Sequence, residues 1–126
     1  MRILLDTHIF LWWVRGESKL SKIAKASILN AAEVYISSAS IWESSIKAKL
    51  GKLSVDIEEL AASITASGFL ELPITAKHAA TVYHLPDIHR DPFDRLLIAQ
   101  AICEPLQLLT FDKTLEPYTD LVKVVA

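Results

Sequence analysis

The sequence holds one cysteine, Cys103, so no intramolecular disulfide framework can brace it, and a reducing compartment suits it. Cys103 follows the run LLIAQAI and reads as a buried structural thiol rather than a nucleophile. Positive charge is not in excess: 13 lysines and arginines stand against 15 acids, for a net charge of −2 and a pI of about 6.1. Nucleic-acid binding would therefore rest on a local patch or on a partner's charge. No apolar run reaches the roughly 20 residues of a membrane-spanning helix. The start, MRILLDTHIFLWWVR, carries an acid early and has no small-residue cleavage site, so no secretory leader is read and a cytoplasmic location is expected. The four histidines lack the regular spacing of a zinc site. Repeats, low-complexity tracts and linkers are missing, and one domain over residues 1–126 is expected.

What is present is apolar. The hydrophobic share is 52% and the mean hydropathy +0.32, which suits a fully covered parallel sheet, an oligomer interface, or both. Short apolar runs at 2–6, 34–37, 69–72, 106–110 and 121–125 predict five strands. Between them lie helical stretches at 9–14 with Thr7 as a cap, at 18–32, at 40–50, from Asp56 to the Gly68 stop, and at 75–83. The 18–32 stretch carries Leu20, Ile23, Ala24, Ser27 and Ile28 on one stripe. After a polar loop at 84–90, Asp91-Pro92 opens the best-signalled helix, and 112–118 reads as a turn or short helix. This alternation predicts a three-layer α/β/α domain with a mainly parallel, roughly five-stranded central sheet. His78 and His84 read as surface residues.

Four acids stand where a strand gives way to a helix: Asp6, Glu43, Asp94 and Asp112. If the strands are neighbours in a parallel sheet, these carboxylates gather beyond its carboxyl edge, where open α/β sheets bind ligands. Gathered carboxylates repel, so they take up protons or bind a hard cation, which makes a metal-dependent hydrolase the leading idea. Each acid taken singly also suits a helix start. Ser40 and Glu43 spell the capping box S-x-x-E, Asp91 is a good N-cap with Asp94 three residues on, and Asp112 can open a turn. Asp6 differs, because a carboxylate closing an apolar strand is costly to bury without a partner.

LLDTHIFLWW, SSASIWESSIKAKLGKL, HRDPFDRLLIAQA and LLTFD, in this order and spacing over nearly the whole chain, resemble a PIN domain, and more narrowly a VapC-type toxin of a toxin–antitoxin pair. The resemblance implies an endoribonuclease in which Asp6, Glu43, Asp94 and Asp112 hold Mg²⁺ or Mn²⁺. Asp6 and Asp94 would bind directly, and Glu43 and Asp112 directly or through water. Thr7 and Thr110 match small hydroxyl residues beside the site, and Asp91 is a further candidate. The resemblance also implies an RNA substrate, a cognate antitoxin protein and a homodimer.

Around this set, Arg95 could pair with a site carboxylate and fix its orientation. Lys47, Lys49, Lys52 and Arg90 could meet RNA, although such runs usually form a solvated helix face. Phe10, Leu11, Trp12 and Trp13 are four bulky residues in succession, of which a short helix buries about two against a sheet. Part of the Trp12/Trp13 surface is therefore expected to form an exposed apolar patch, and the resemblance implies that it receives the antitoxin. Two other readings stand beside this one. A catalytically silent PIN-like RNA- or protein-binding module would lack site acids, and all are present. A receiver-like phosphoryl-transfer domain would need an acidic pair near strand one and an aspartate after strand three, where this chain has Leu72-Pro73.

Overall fold

The computed structural model describes residues 1–125. Its five strands are β1 (Arg2–Leu5), β2 (Glu33–Ser37), β3 (Leu70–Leu72), β4 (Gln107–Thr110) and β5 (Val122–Val124). All neighbours are parallel, in the order β3-β2-β1-β4-β5. The helices are α1 (Thr7–Arg15), α2 (Lys22–Asn30), α3 (Ser38–Lys49), α4 (Ile57–Ala66), α5 (Ala76–Thr81) and α6 (Pro92–Cys103). Two 3₁₀ segments, Val82–His84 and Lys113–Tyr118, follow α5 and β4.

Strand residues alternate between two cores because successive side chains point to opposite faces. Ile3, Leu5 and Ile36 pack with Ile9 and Phe10 of α1, Ala24 and Ile28 of α2, and Leu60 and Ile64 of α4. Leu4 and Leu108 pack on the other face with Leu97, Ile98 and Ala101 of α6 and with Leu115 and Tyr118. The three-layer expectation holds, and the sheet is parallel throughout rather than mainly so.

The central strand β1 has β2 on one side and β4 on the other. The chain walks outward from β1 through β2 to β3, then crosses to β4 on the far side. Strand order reverses between β1 and β4, and the ladder there runs past the strand end, with the Asp6 amide donating to the Leu109 carbonyl at 3.0 Å. The crevice where such a sheet takes ligands thus opens beyond Leu5 and Thr110.

Several local expectations change. Asp6, not Thr7, caps α1, accepting from the Ile9 amide at 2.9 Å. Ser37 caps α3, so the helix begins before Ser40 and the predicted Ser40–Glu43 capping box does not form. The Ser37 hydroxyl, nearer the strand, takes the role by accepting from the Ala39 amide at 3.0 Å. α2 starts only at Lys22 with Ser21 as cap, and Ile23 of the predicted stripe is 61% exposed. His78 is buried rather than on the surface. Its Nδ1 accepts from the Thr75 amide at 3.1 Å and its Nε2 meets Glu104, completing a capping box for a helix too short to hold itself. Cys103 is half-buried beside Thr81, and α6 leaves Ile102 exposed. Gly16 ends α1 with φ +63°, a left-handed turn glycine takes freely, and returns its N–H to Trp13 and the next to Trp12.

Candidate metal centre

Four segments bring acids to the β1/β4 crevice, each by its own local device. Asp6 is the last residue before α1 and only 4% exposed. Its two oxygens are held separately, Oδ1 by the Ile9 amide at 2.9 Å and Oδ2 by the Thr110 hydroxyl in a short hydrogen bond. The same Thr110 oxygen accepts from the Asp112 amide at 3.1 Å, so one hydroxyl ties the β1 acid to the β4 acid. Asp112 in turn caps the 3₁₀ segment through Thr114. Glu43 lies in the second turn of α3, buried, with Lys47 one turn on at 2.8 Å. One turn before it, Ser40 accepts from the Thr7 hydroxyl at 2.9 Å and locks α3 to α1. Asp91 caps α6, accepting from the Phe93 and Asp94 amides at 2.9 and 3.2 Å, and this sets Asp94 on the first turn facing the crevice.

Asp6, Thr7, Glu43, Asp91, Asp94 and Asp112 line one cleft of about 100 Å³, together with His8, Lys47 and Phe111. Every acid of the predicted set is there, and Thr110 stands just behind it. Arg95 is not: its guanidinium donates to the carbonyls of Pro86, His89 and Val82 and to the Tyr118 hydroxyl, and among the described residues it pairs with no site carboxylate. It is placed to fasten the 84–90 loop against α6. Lys47 is not the free lysine of a solvated face, because the buried Glu43 one turn away claims its charge. Lys49, Lys52 and Arg90 are exposed.

His89 belongs to the site although its spacing gave no metal pattern. Its Nε2 is 3.5 Å from Asp94 Oδ2, and one donor atom each from His89, Asp94 and Asp112 fall within 4.8 Å of one another. The signal in the sequence was its place two residues before the α6 cap, in the loop that must pass the crevice. Ser40 was read as a cap, and its contact with Thr7 became visible only once Ser37 was seen to cap α3.

The electrostatics follow from crowding. Burial, then the charges of Asp91, Asp6, Glu43 and Asp112, push the Asp94 carboxyl up to about 7. Burial also raises Asp6, against the hydrogen bonds from Thr110 and Ile9 and the nearby His8, while Glu43 adds to the rise. Five carboxylates around 100 Å³ with one paired lysine form an oxygen-rich donor set short of positive charge. That chemistry fits a hard divalent cation such as Mg²⁺ or Mn²⁺.

Residues 3–120 fit the PIN domain family, and the protein belongs to it. Among relatives, it is 31% identical over 123 residues to ribonuclease VapC22 of Mycobacterium tuberculosis, covering 92% of this chain and 91% of that one. Its fold matches VapBC2 from Rickettsia felis, crystallised with a DNA fragment of its promoter, at a TM-score of 0.73, with 19% identity and all of both chains covered. FitAcB from Neisseria gonorrhoeae superposes at 0.67, with 18% identity, over 100% of this chain and 97% of that one. At such identities these two likenesses speak for the fold alone.

Proposed function

We propose that this chain is the toxin component of a type II toxin–antitoxin pair, an endoribonuclease that hydrolyses RNA phosphodiester bonds with Mg²⁺ or Mn²⁺. The observation that carries the reading is the meeting of Asp6, Glu43, Asp94 and Asp112 in one cleft at the strand-order reversal. The relationship to a ribonuclease supports the choice of reaction.

In this reading Asp6 and Asp94 hold the ion, with Glu43 and Asp112 supporting it. When bound, a divalent ion activates water for in-line attack and offsets charge gathering on the phosphate. The chain's own residues prepare for this. Thr110 and the Ile9 amide hold Asp6 in one orientation, so no rotamer freedom is lost at binding. Lys47 sets a positive charge 2.8 Å from Glu43 in the cleft. Thr7 and Ser40 fix the spacing of α1 and α3, and with it the distance from Asp6 to Glu43. Asp91 sets the first turn of α6 and so aims Asp94. The cleft alone repels a phosphate backbone, and the exposed cations Arg90, Lys49 and Lys52 are candidates to meet RNA.

The test is cleavage of RNA with and without EDTA by wild type, Asp6→Asn and Asp94→Asn. Each variant should lose roughly a hundredfold or more in rate, since removal of a ligand forfeits several kcal/mol of charge stabilisation. Equal cleavage by all three would sink the metal-site reading. A wild type inert on every RNA class offered would favour the silent binding module instead.

The partner reading is part of the same proposal. Relatives of this fold are described as toxin–antitoxin complexes, which supports a protein antitoxin here. Phe10 and Leu11 fill the core, while Trp12 and Trp13 are only half-buried. A groove of about 210 Å³ also runs between α1 and α4, lined by Leu11, Val14, Val55 and Leu60 and edged by Arg15, Asp56 and Glu59. A segment with apolar anchors suits it. A second apolar patch, where Trp42 stands 57% exposed against Phe93, supports a homodimer.

A further inference from the structure

Among the described residues, His89 is the one histidine whose two ring nitrogens are both buried without a hydrogen bond. A buried imidazole left this way loses hydration with nothing in return, which native folds tolerate where a ligand completes the site. Its Nε2 lies 3.5 Å from Asp94 Oδ2, and the same carboxylate region includes Asp112, with one donor of each residue within 4.8 Å of the others.

The ring is also held in place. The Tyr118 hydroxyl accepts from the His89 amide at 2.9 Å and lies 3.3 Å from its carbonyl, which accepts from Arg95 as well. The Tyr118 ring packs edge-on against the imidazole with centroids 5.7 Å apart. Three groups on two elements thus fix a loop residue whose side chain makes no hydrogen bond of its own. A histidine that merely filled space would not need its backbone pinned on both sides.

We infer that His89 donates a nitrogen to the divalent ion held by the carboxylates, making the centre a mixed nitrogen–oxygen site rather than an all-oxygen one. The inference rests on the metal-site reading above and specifies it further. An imidazole donor tilts a site away from Mg²⁺, which keeps to oxygen and water, toward ions later in the transition series. Arg95 and Tyr118 then serve as positioning residues for that donor, which gives Arg95 a role at the site without any contact to a carboxylate.

Mn²⁺ is the probe, because pulsed electron paramagnetic resonance reads imidazole nitrogen directly coupled to it. The expected result is one nitrogen coupling in wild type, absent in His89→Gln and His89→Ala and retained in His8→Ala, since His8 is the other histidine at the cleft. The His89 variants should bind Mn²⁺ at least roughly tenfold more weakly, with a smaller change for Mg²⁺, given that loss of even an outer partner costs about that much. Mn²⁺ bound without nitrogen coupling, or with coupling that survives His89→Gln, overturns the inference while leaving the carboxylate site intact. Wild type that binds no Mn²⁺ overturns both. Retained binding in Asp94→Asn with the coupling intact would place the ion away from the acids and overturn the mixed site.

Discussion

At the scale of single residues the site is governed by two carboxylates with different surroundings. Asp6 is buried but given a donor for each oxygen, so its burial is partly offset. Asp94 faces its neighbours with less help, and its carboxyl rises from the ordinary 3.8 to about 7. The folded chain therefore binds this proton more tightly than the unfolded one does. Below pH 4 both states hold it. Between 4 and 7 the unfolded state releases it first, so the metal-free protein loses stability as pH rises, and the loss is complete above 7. A cation competing for the same carboxylate should bind about tenfold more weakly for each unit that the pH falls below 7, and its affinity should level off above 7. Calorimetric titration with Mn²⁺ from about pH 5.5 to 8 checks this, and a flat profile would contradict it. Melting temperatures of the metal-free protein should fall over the same interval, and saturating Mn²⁺ should remove the fall.

At the scale of elements, the same residue type does two jobs, and α6 separates them. Asp91 accepts two amide hydrogen bonds at the helix start, which is the work of an N-cap, and its charge also raises Asp94. Asparagine caps about as well as aspartate, whereas alanine costs about 1 kcal/mol. Asp91→Asn should thus leave the melting temperature of the apo protein unchanged or higher and lower the pH at which Asp94 titrates. Asp91→Ala should melt a few degrees lower. Chemical denaturation with carboxyl NMR titration distinguishes the two. Equal destabilisation by both variants would show that charge, not capping, is what Asp91 contributes.

Capping also shows where local reading of the sequence stops. Asp6-Thr7, Ser37-Ser40 and Asp91 all offer side-chain acceptors at helix starts, and sequence alone does not rank neighbours one to three residues apart. The structure ranks them by what else each must do. Thr7 is free to reach Ser40 because Asp6 caps α1, and Glu43 is free to face the cleft because Ser37, not Ser40, caps α3.

At the scale of the whole molecule, function depends on the reversal of strand order and on which apolar surface is left over. Crossing from β3 to β4 brings residues more than a hundred positions apart into one hydrogen bond, Thr110 to Asp6. The leftover surface includes the α1/α4 groove and, separately, the half-covered Trp12 and Trp13 of α1. In a Trp42→Phe background, whose remaining indoles are Trp12 and Trp13, addition of antitoxin should shift tryptophan emission to the blue. Val14→Glu, at a position 38% exposed in the groove, should weaken the complex by tenfold or more, since it buries an unpaired charge. Unmoved emission in a complex that light scattering shows to have formed would assign the antitoxin to another face. The same scattering measurement on the toxin alone, giving one chain's mass or two, tests the homodimer.

The sequence by itself determined the alternation of strands and helices, the two-faced burial of β1, and the identity of the acids, because each of these is written in local periodicity and residue type. Asp6 was conspicuous as a charge closing an apolar strand, and Asp91-Pro92 as a helix start. Only tertiary structure decided that His89 turns its ring to Asp94, that Arg95 turns away to hold the loop, that Lys47 pairs with Glu43, and that His78 is buried. The physical reason is common to all four. Each side chain's partner is chosen by packing between elements and by what charge is already buried nearby, and neither quantity exists until the sheet has closed in the order β3-β2-β1-β4-β5.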